Sequence, residues 1–122
     1  MDHRIGKIVN HLNLHFQQRI SFHEIAPMVN LSPSRLRHIF RVEVGMSLAQ
    51  YVKLLRLNQA RELLESTFLS IKQIQLITGM SDESHFFRDF KGVYNLTPTQ
   101  YRDLYVDTYL QKDSAKIDKQ GK

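Results

Sequence analysis

The chain of 122 residues contains no cysteine, which excludes disulfide bonds, thiolate metal sites and cysteine nucleophiles. It has only five glycines, and they form no phosphate-binding loop. No apolar run approaches the roughly 18 residues of a membrane span, and residues 1–14 lack the apolar stretch of a signal peptide. No nucleophile–base arrangement is evident either. We therefore expect neither an enzyme nor a membrane protein, and no cofactor.

The net charge and the chain length indicate which partners and how many domains to expect. The net charge is +5 and the pI about 9.6, which weakly favours a polyanionic partner such as nucleic acid or an acidic membrane face. The length fits one compact domain, or two small ones that share a helix. His11 and His15 have a spacing that suits a metal, but no third ligand is evident beyond His3. We interpret them as solvated surface residues and expect no metal site.

The most informative feature that is present is an internal repeat. Residues 21–32 are echoed by residues 70–81, at an offset of 49 positions. The offset then becomes 50 positions for seven further pairs: Leu36 and Phe86, Phe40 and Phe90, Arg41 and Lys91, Met46 and Leu96, Ser47 and Thr97, Gln50 and Gln100, and Tyr51 and Tyr101. A helical unit used twice suggests a protein that recognises one long partner at two places.

Apolar residues recur at helical spacing along most of the chain, and strand-like alternation is absent. Four hydroxyl residues each precede Glu or Gln by three positions, which is the pattern of a capping box: Ser21, Ser47, Ser70 and Thr97. Ser32 with Pro33 forms a similar helix start. These signals predict an all-α fold of seven helices, at 4–17, 21–29, 32–43, 47–65, 70–78, 82–92 and 97–106.

The predicted helices group into two helix-turn-helix units of homeodomain-like form joined by a long linker helix. We expect the first unit at 1–46, the linker at 47–65, the second unit at 66–106 and a disordered polar tail at 107–122. Asn30 and Gly79 occupy the two equivalent turns, where both residue types tolerate a left-handed backbone.

The second helix of each unit has an apolar face and a polar, basic face. Leu36, Ile39 and Phe40 share one side of helix 32–43, and the opposite side is polar: Ser34, His38 and Arg41, with Arg37 on its flank. In helix 82–92 Phe86 and Phe90 face inward, and the outward residues are Ser84, Arg88 and Lys91. This is the layout of a DNA-binding helix-turn-helix, in which the second helix enters the major groove. Plain bundle helices with solvated basic faces are the alternative.

The length of the linker agrees with two-site binding to DNA. A helix of 19 residues spans about 28 Å, and successive major grooves on one side of B-DNA lie about 34 Å apart. A monomer could then place two recognition helices in adjacent grooves.

The repeated motifs resemble the DNA-binding domain of AraC/XylS-type bacterial transcription regulators. The first half is similar over 31–36, with Phe40, residues 45–47 and residues 50–51, and the second over 79–91, with residues 97–98 and 101–102. The resemblance covers about residues 3–104. It implies a cytoplasmic, nucleoid-associated protein that binds double-stranded promoter DNA, usually as an activator that touches RNA polymerase.

The resemblance also assigns contacts to matching positions of this chain. Base or groove contacts fall on six residues: Ser34, Arg37, His38, Glu83, Ser84 and Arg88. We expect phosphate contacts from three more: Arg35, Arg41 and Lys91. Because the two outer faces differ, the target should be asymmetric.

Four residues depart from the family pattern. Pro27 lies inside helix 21–29, where it should bend the helix. Asn30 replaces the usual glycine and Met80 the usual aromatic residue. Phe87 replaces a small polar residue, and either packs on a neighbouring helix, which we favour, or touches thymine methyl groups.

Members of this family often have a second domain that binds a small molecule or dimerises. The sequence predicts none here, so the chain is either a fragment of a longer regulator or a member that acts alone. A helical protein-interaction adaptor, with Phe87, Tyr105 and Tyr109 on its surface, is the alternative function. RNA or membrane-surface binding rests on charge alone. The target promoter, the effector, the sign of regulation and the oligomeric state stay open.

Overall fold

The computed structural model describes residues 2–106, and these form seven helices and no strand. The predicted all-α fold is therefore confirmed. The helices are α1 His3–His15, α2 Phe22–Ile25 with a 3-10 turn at Ala26–Val29, α3 Pro33–Val44, α4 Leu48–Ser66, α5 Ile71–Ile77, α6 Glu83–Tyr94 and α7 at 98–106. None of the described helices is long and apolar enough to cross a membrane. The predicted tail at 107–122 lies outside the described residues.

The described chain divides into two compact units, and the border falls inside α4. The first unit runs up to Asn58 and also includes Ile77–Gly79. The second contains Gln59–Leu76 and the described residues from Met80 onward. The partition into two subdomains with a separate linker remains a prediction, since the contacts assign each half of α4 to a different unit.

The first unit has a core of aliphatic side chains around one phenylalanine. α1 buries three residues at spacings of three and four, as expected for one face of a helix. The buried core residues are Ile5, Ile8, Leu12, Ile25, Ala26, Val29, Leu36, Phe40, Leu48 and Val52. Phe40 also meets Tyr51 edge-to-face, with ring centroids 5.7 Å apart, a favourable arrangement for two aromatic rings.

The second unit repeats this design with a more aromatic core. Its buried residues include Ala60, Leu64, Ile74, Met80, Phe86 and Phe90. Phe90 meets Tyr101 edge-to-face with ring centroids 5.7 Å apart, as Phe40 meets Tyr51 in the first unit. Met80 is 8% exposed, so it fills the core position at which the family pattern has an aromatic residue.

The four predicted capping boxes form to different extents. Ser70 with Gln73 and Thr97 with Gln100 each form both reciprocal hydrogen bonds. The Ser47 hydroxyl accepts from the backbone N–H of Gln50 at 3.1 Å. The prediction is wrong for Ser21, whose side chain makes no capping bond. There the backbone N–H groups of Glu24 and Ile25 donate to the Ser21 carbonyl, in a helix of a single turn.

Pro27 changes the helix type rather than bending a long helix. α2 ends at Ile25, and residues Ala26–Val29 continue as a 3-10 turn in which Pro27 takes an early position that needs no N–H donor. Asn30 closes the turn with a left-handed φ of 56°, and its N–H bonds to the carbonyls of Ala26 and Pro27. The equivalent Gly79 has a φ of 85°. Both predicted left-handed turns are confirmed.

Candidate nucleic-acid interface

The first candidate recognition helix, α3, is fixed at both ends and along its inner face. The Ser32 hydroxyl accepts from the backbone N–H of Arg35 at 3.1 Å, and Pro33 follows at the first helical position. Gly45 ends the helix in a left-handed conformation with φ 88°. Leu36 and Phe40 are fully buried. The rotation of α3 about its axis is thereby set, and with it the residues that face outward.

All five sequence-predicted residues of α3 lie on its exposed side: Ser34, Arg35, Arg37, His38 and Arg41. Three arginines on one helix of 12 residues give this face a positive character. The guanidinium of Arg37 lies over the ring of Phe22, with Cζ 4.3 Å from the ring centroid. Such a face offers planar hydrogen-bond donors suited to guanine edges and to phosphates.

The second candidate recognition helix, α6, begins with a different cap. The Asp82 carboxylate accepts from the backbone N–H of His85 at 2.9 Å, and this hydrogen bond is the main cause that lowers the pKa of Asp82. Asn95 ends the helix with a left-handed φ of 67°. Phe86 and Phe90 are fully buried and hold the inner face.

The four sequence-predicted residues of α6 are all exposed: Glu83, Ser84, Arg88 and Lys91. The Arg88 side chain is 71% exposed, and its Nε lies 3.6 Å from the carboxylate of Asp89. A contact this exposed holds the arginine weakly, so the side chain can exchange it for another partner. Lys91 lies in the last turn of α6.

Residues 31–50 and 81–100 have the same backbone pattern, and their burial differs at only three pairs: Leu31 and Ser81, Pro33 and Glu83, and Arg37 and Phe87. The secondary structure is the same at every step of the offset of 50, and from 41 and 91 onward so is the burial. Of these pairs, Arg37 and Phe87 lie on the candidate recognition helices and differ in charge as well as in burial. Phe87 is half-buried and meets Phe86 of its own helix edge-to-face, with ring centroids 6.0 Å apart, and its packing on a neighbouring helix stays a prediction.

Sequence reasoning missed two residues that shape these faces. Phe22 lies beneath Arg37, although the two are 15 positions apart in sequence. The sequence shows that Phe22 directly follows the predicted cap Ser21, but it does not show that Phe22 contacts Arg37. The Asp82 cap was also missed, although an acidic residue three positions before His85 is a common N-cap signal. No group of three metal-ligating side chains is found among residues 2–106.

Two outward helices of this kind, each preceded by a short helix and a left-handed turn, define a protein with two helix-turn-helix units. A family model for a helix-turn-helix domain matches residues 25–103. The chain is 30% identical over 103 residues to the HTH-type transcriptional activator RhaR of Mannheimia succiniciproducens, covering 84% of this chain and 37% of that protein. It is 31% identical to the arabinose operon regulatory protein of Escherichia coli K12, covering 84% of this chain and 35% of the relative.

A solved structure of an AraC-type transcriptional regulator from Chromobacterium violaceum is also similar. It has a TM-score of 0.75 and 31% identity, covering 84% of this chain and 91% of that one. The chain belongs to the AraC-type helix-turn-helix family. It spans little more than a third of the length of the two curated relatives.

Proposed function

We propose that this chain binds double-stranded DNA at specific sequences through α3 and α6. In this proposal it acts as a bacterial transcription regulator that activates transcription. The repetition of one backbone pattern over 31–50 and 81–100, with the same burial from 41 and 91 onward, supports this most strongly. In both copies the residues on the outer face of the second helix are polar and exposed, although the sequence on that face differs. Basic residues on both faces suit binding to the phosphates of one duplex.

The exposed residues divide by chemistry into two groups. Six suit base edges or the groove floor: Ser34, Arg37, His38, Glu83, Ser84 and Arg88. Three suit phosphates: Arg35, Arg41 and Lys91. Arginine offers two parallel donors to the O6 and N7 of guanine, whereas the carboxylate of Glu83 accepts from the amino group of cytosine.

We further propose that both recognition helices engage one duplex in adjacent major grooves. The 19 residues of α4 support this, because a helix of that length spans about 28 Å, close to one turn of B-DNA. Since the two outer faces differ, the preferred site is asymmetric rather than palindromic. A cytoplasmic location, contact with RNA polymerase and the lack of an enzymatic activity belong to the same proposal.

Selection from random duplex pools at near-physiological salt tests this function directly. We expect enrichment of a bipartite, asymmetric motif of about 20 bp, which corresponds to two major-groove contacts one helical turn apart. The matched control is a variant with Arg37, Arg41, Arg88 and Lys91 all replaced by Gln, which removes the positive charges but keeps polar side chains. If the natural chain enriches no motif beyond the control, the DNA-binding proposal is wrong.

A second candidate, a protein-interaction adaptor, is favoured by one observation in the second unit. Phe68 is fully exposed beside a groove of about 470 Å³ whose lining includes Leu64, Tyr105 and Val106. Phe68 lies in the loop at 67–70, between α4 and α5. This loop is held in place, because the Arg102 guanidinium donates to the carbonyls of Thr67 and Leu69. Of the aromatics first considered for such a surface, Tyr105 is exposed, Phe87 is half-buried and Tyr109 lies outside the described residues.

A further inference from the structure

Arg37 is the only candidate DNA-contacting residue of α3 whose guanidinium rests on an aromatic ring among the described residues. Its Cζ lies 4.3 Å from the centroid of Phe22, well within the roughly 6 Å range of a cation–π interaction. Phe22 is the first residue of α2, and its half-buried ring packs against the core of the first unit. The ring is therefore a fixed support beneath a side chain that would otherwise move freely in solvent.

Such a support changes what the arginine can do. A free arginine side chain loses rotamer freedom when it binds a base. This loss of entropy lowers both the binding affinity and the discrimination between bases. A cation–π contact needs no hydrogen-bond acceptor, so N–H donors of the guanidinium are left for a further partner. Within residues 2–106 no hydrogen bond or ion pair occupies these donors. The guanidinium is thus held above the ring and can still donate hydrogen bonds to a base.

The second copy offers an internal comparison. The residue equivalent to Phe22 is Ile71, which also follows a serine at the start of its helix, and the residue equivalent to Arg37 is Phe87. An aliphatic side chain has no π face, and the residue at the position of Arg37 is uncharged. Phe87 packs instead against Phe86 of its own helix. The aromatic support therefore occurs in the copy that has an arginine to orient, and not in the other.

We propose that Phe22 is a positioning residue for DNA recognition, and that it holds Arg37 in the orientation that selects one guanine in the first half of the target site. This role requires no contact between Phe22 and DNA. The inference rests on the proposed function, because it assigns base specificity within that function. It adds a residue outside the recognition helix to those that determine specificity.

Binding competition between duplexes that differ at single positions gives the first test. Arg37→Ala identifies the base pair whose discrimination depends on Arg37. Phe22→Leu keeps the side chain apolar but removes the π face, and should lower discrimination at that base pair by about two- to fivefold, the value of an exposed cation–π contact. Phe22→Tyr should restore it. Ile71→Leu, the matched control in the second copy, should leave that base pair unaffected.

The double variant with Phe22→Leu and Arg37→Ala separates positioning from general support. If Phe22 acts through Arg37, the double variant discriminates no worse than Arg37→Ala alone. Equal loss of affinity of Phe22→Leu for every sequence, or additive losses in the double variant, would overturn the proposal. Denaturant midpoints of all variants show whether an effect comes from lost folding instead, which also counts against it.

A measurement on the free protein keeps this inference distinct from the proposed function. In NMR spectra the side-chain resonances of Arg37 should be shifted upfield by the ring of Phe22, and its Nε–H should be ordered. Both signatures should vanish in Phe22→Leu and persist in Phe22→Tyr. If they are absent in the natural chain, the positioning role is wrong even if DNA binding is found. If they are present but the chain enriches no DNA motif, the proposed function fails and the role in specificity fails with it.

Discussion

The hydroxyl of Tyr51 donates a 2.9 Å hydrogen bond to the side-chain oxygen of Asn13. The equivalent Tyr101 donates to the carboxylate of Glu65. Each tyrosine thus ties the helix after a recognition helix to the helix that opens its own unit, which is α1 in the first unit and the second half of α4 in the second. The buried residues of α1 recur with the same spacing in α4: Ile5, Ile8 and Leu12, then Leu57, Ala60 and Leu64. The repeat therefore includes α1, and the acceptor of the tyrosine hydroxyl is an amide in the first copy and a carboxylate in the second.

Stability at alkaline pH should depend on Tyr101. Desolvation, followed by the hydrogen bond to Glu65, raises the pKa of Tyr101. A raised folded-state pKa stabilises the fold below the unfolded value near 10, and this contribution is lost as the pH rises through the folded value. We expect Tyr101→Phe to flatten the loss of unfolding free energy above about pH 10 in urea titrations. A variant as sensitive to alkaline pH as the natural chain would contradict this.

Stability at acid pH should depend on the cap of α6. The backbone N–H of His85 lowers the pKa of Asp82, so its contribution is present above the unfolded value and lost as the pH falls through the folded one. We expect Asp82→Asn, which keeps an acceptor oxygen, to reduce the fall in denaturant midpoint below about pH 4. Asp82→Ala should lower the midpoint at neutral pH as well, since the cap is then lost. Equal midpoints for the alanine variant and the natural chain at neutral pH would rule out the cap.

Three glycine substitutions should separate backbone strain from crowding. At Gly79, φ is 85° and an added Cβ would overlap with the carbonyl oxygen of Gln17, so Gly79→Ala should cost about 2 kcal/mol or more of unfolding free energy. At Gly45 φ is 88° but the space is open, so Gly45→Ala should cost about 1 kcal/mol. At Gly92, inside α6 with open space, alanine should stabilise by up to about 1 kcal/mol. Equal effects at Gly45 and Gly79 would show that crowding is unimportant.

Arg88→Ala should relax specificity at one base position. An arginine that donates two bonds to guanine is worth about 1–3 kcal/mol of discrimination, and we expect that loss in competition binding with single-position variants of the selected site. Arg88→Lys should recover little of it, because an ammonium cannot reproduce the two parallel bonds. Equal weakening across all sequences would mean that Arg88 contacts phosphate instead.

Lys91→Ala should weaken binding to all sequences alike. Loss of one phosphate contact should also lower the slope of log K against log salt by about one. Salt titrations on the selected site and on an unrelated duplex provide the measurement, with the exposed Lys72→Ala on α5 as the control. An unchanged slope would remove Lys91 from the phosphate contacts.

Local patterns were sufficient for the helices and their outward faces. The pairs Ser70 with Gln73 and Thr97 with Gln100 form the predicted boxes because capping involves groups only three residues apart. The exposed positions of Arg88 and Lys91 follow from the burial of Phe86 and Phe90 on the same helix. Ser21 shows that a local pattern is not always sufficient for prediction. It has the capping-box pattern, but the helix that follows has only one turn and the Ser21 side chain forms no capping bond.

The sequence by itself determined the repeat, the seven helices, both left-handed turns and the polar faces, because each depends on residues within one or two turns of one another. Only the tertiary structure decided the long-range contacts. It assigned Ile77–Gly79 to the first unit, put the Gln17 carbonyl against Gly79 and brought Phe22 beneath Arg37. Helical periodicity shows which face of a helix is buried, but not which distant side chain meets it, because that depends on how the helices pack.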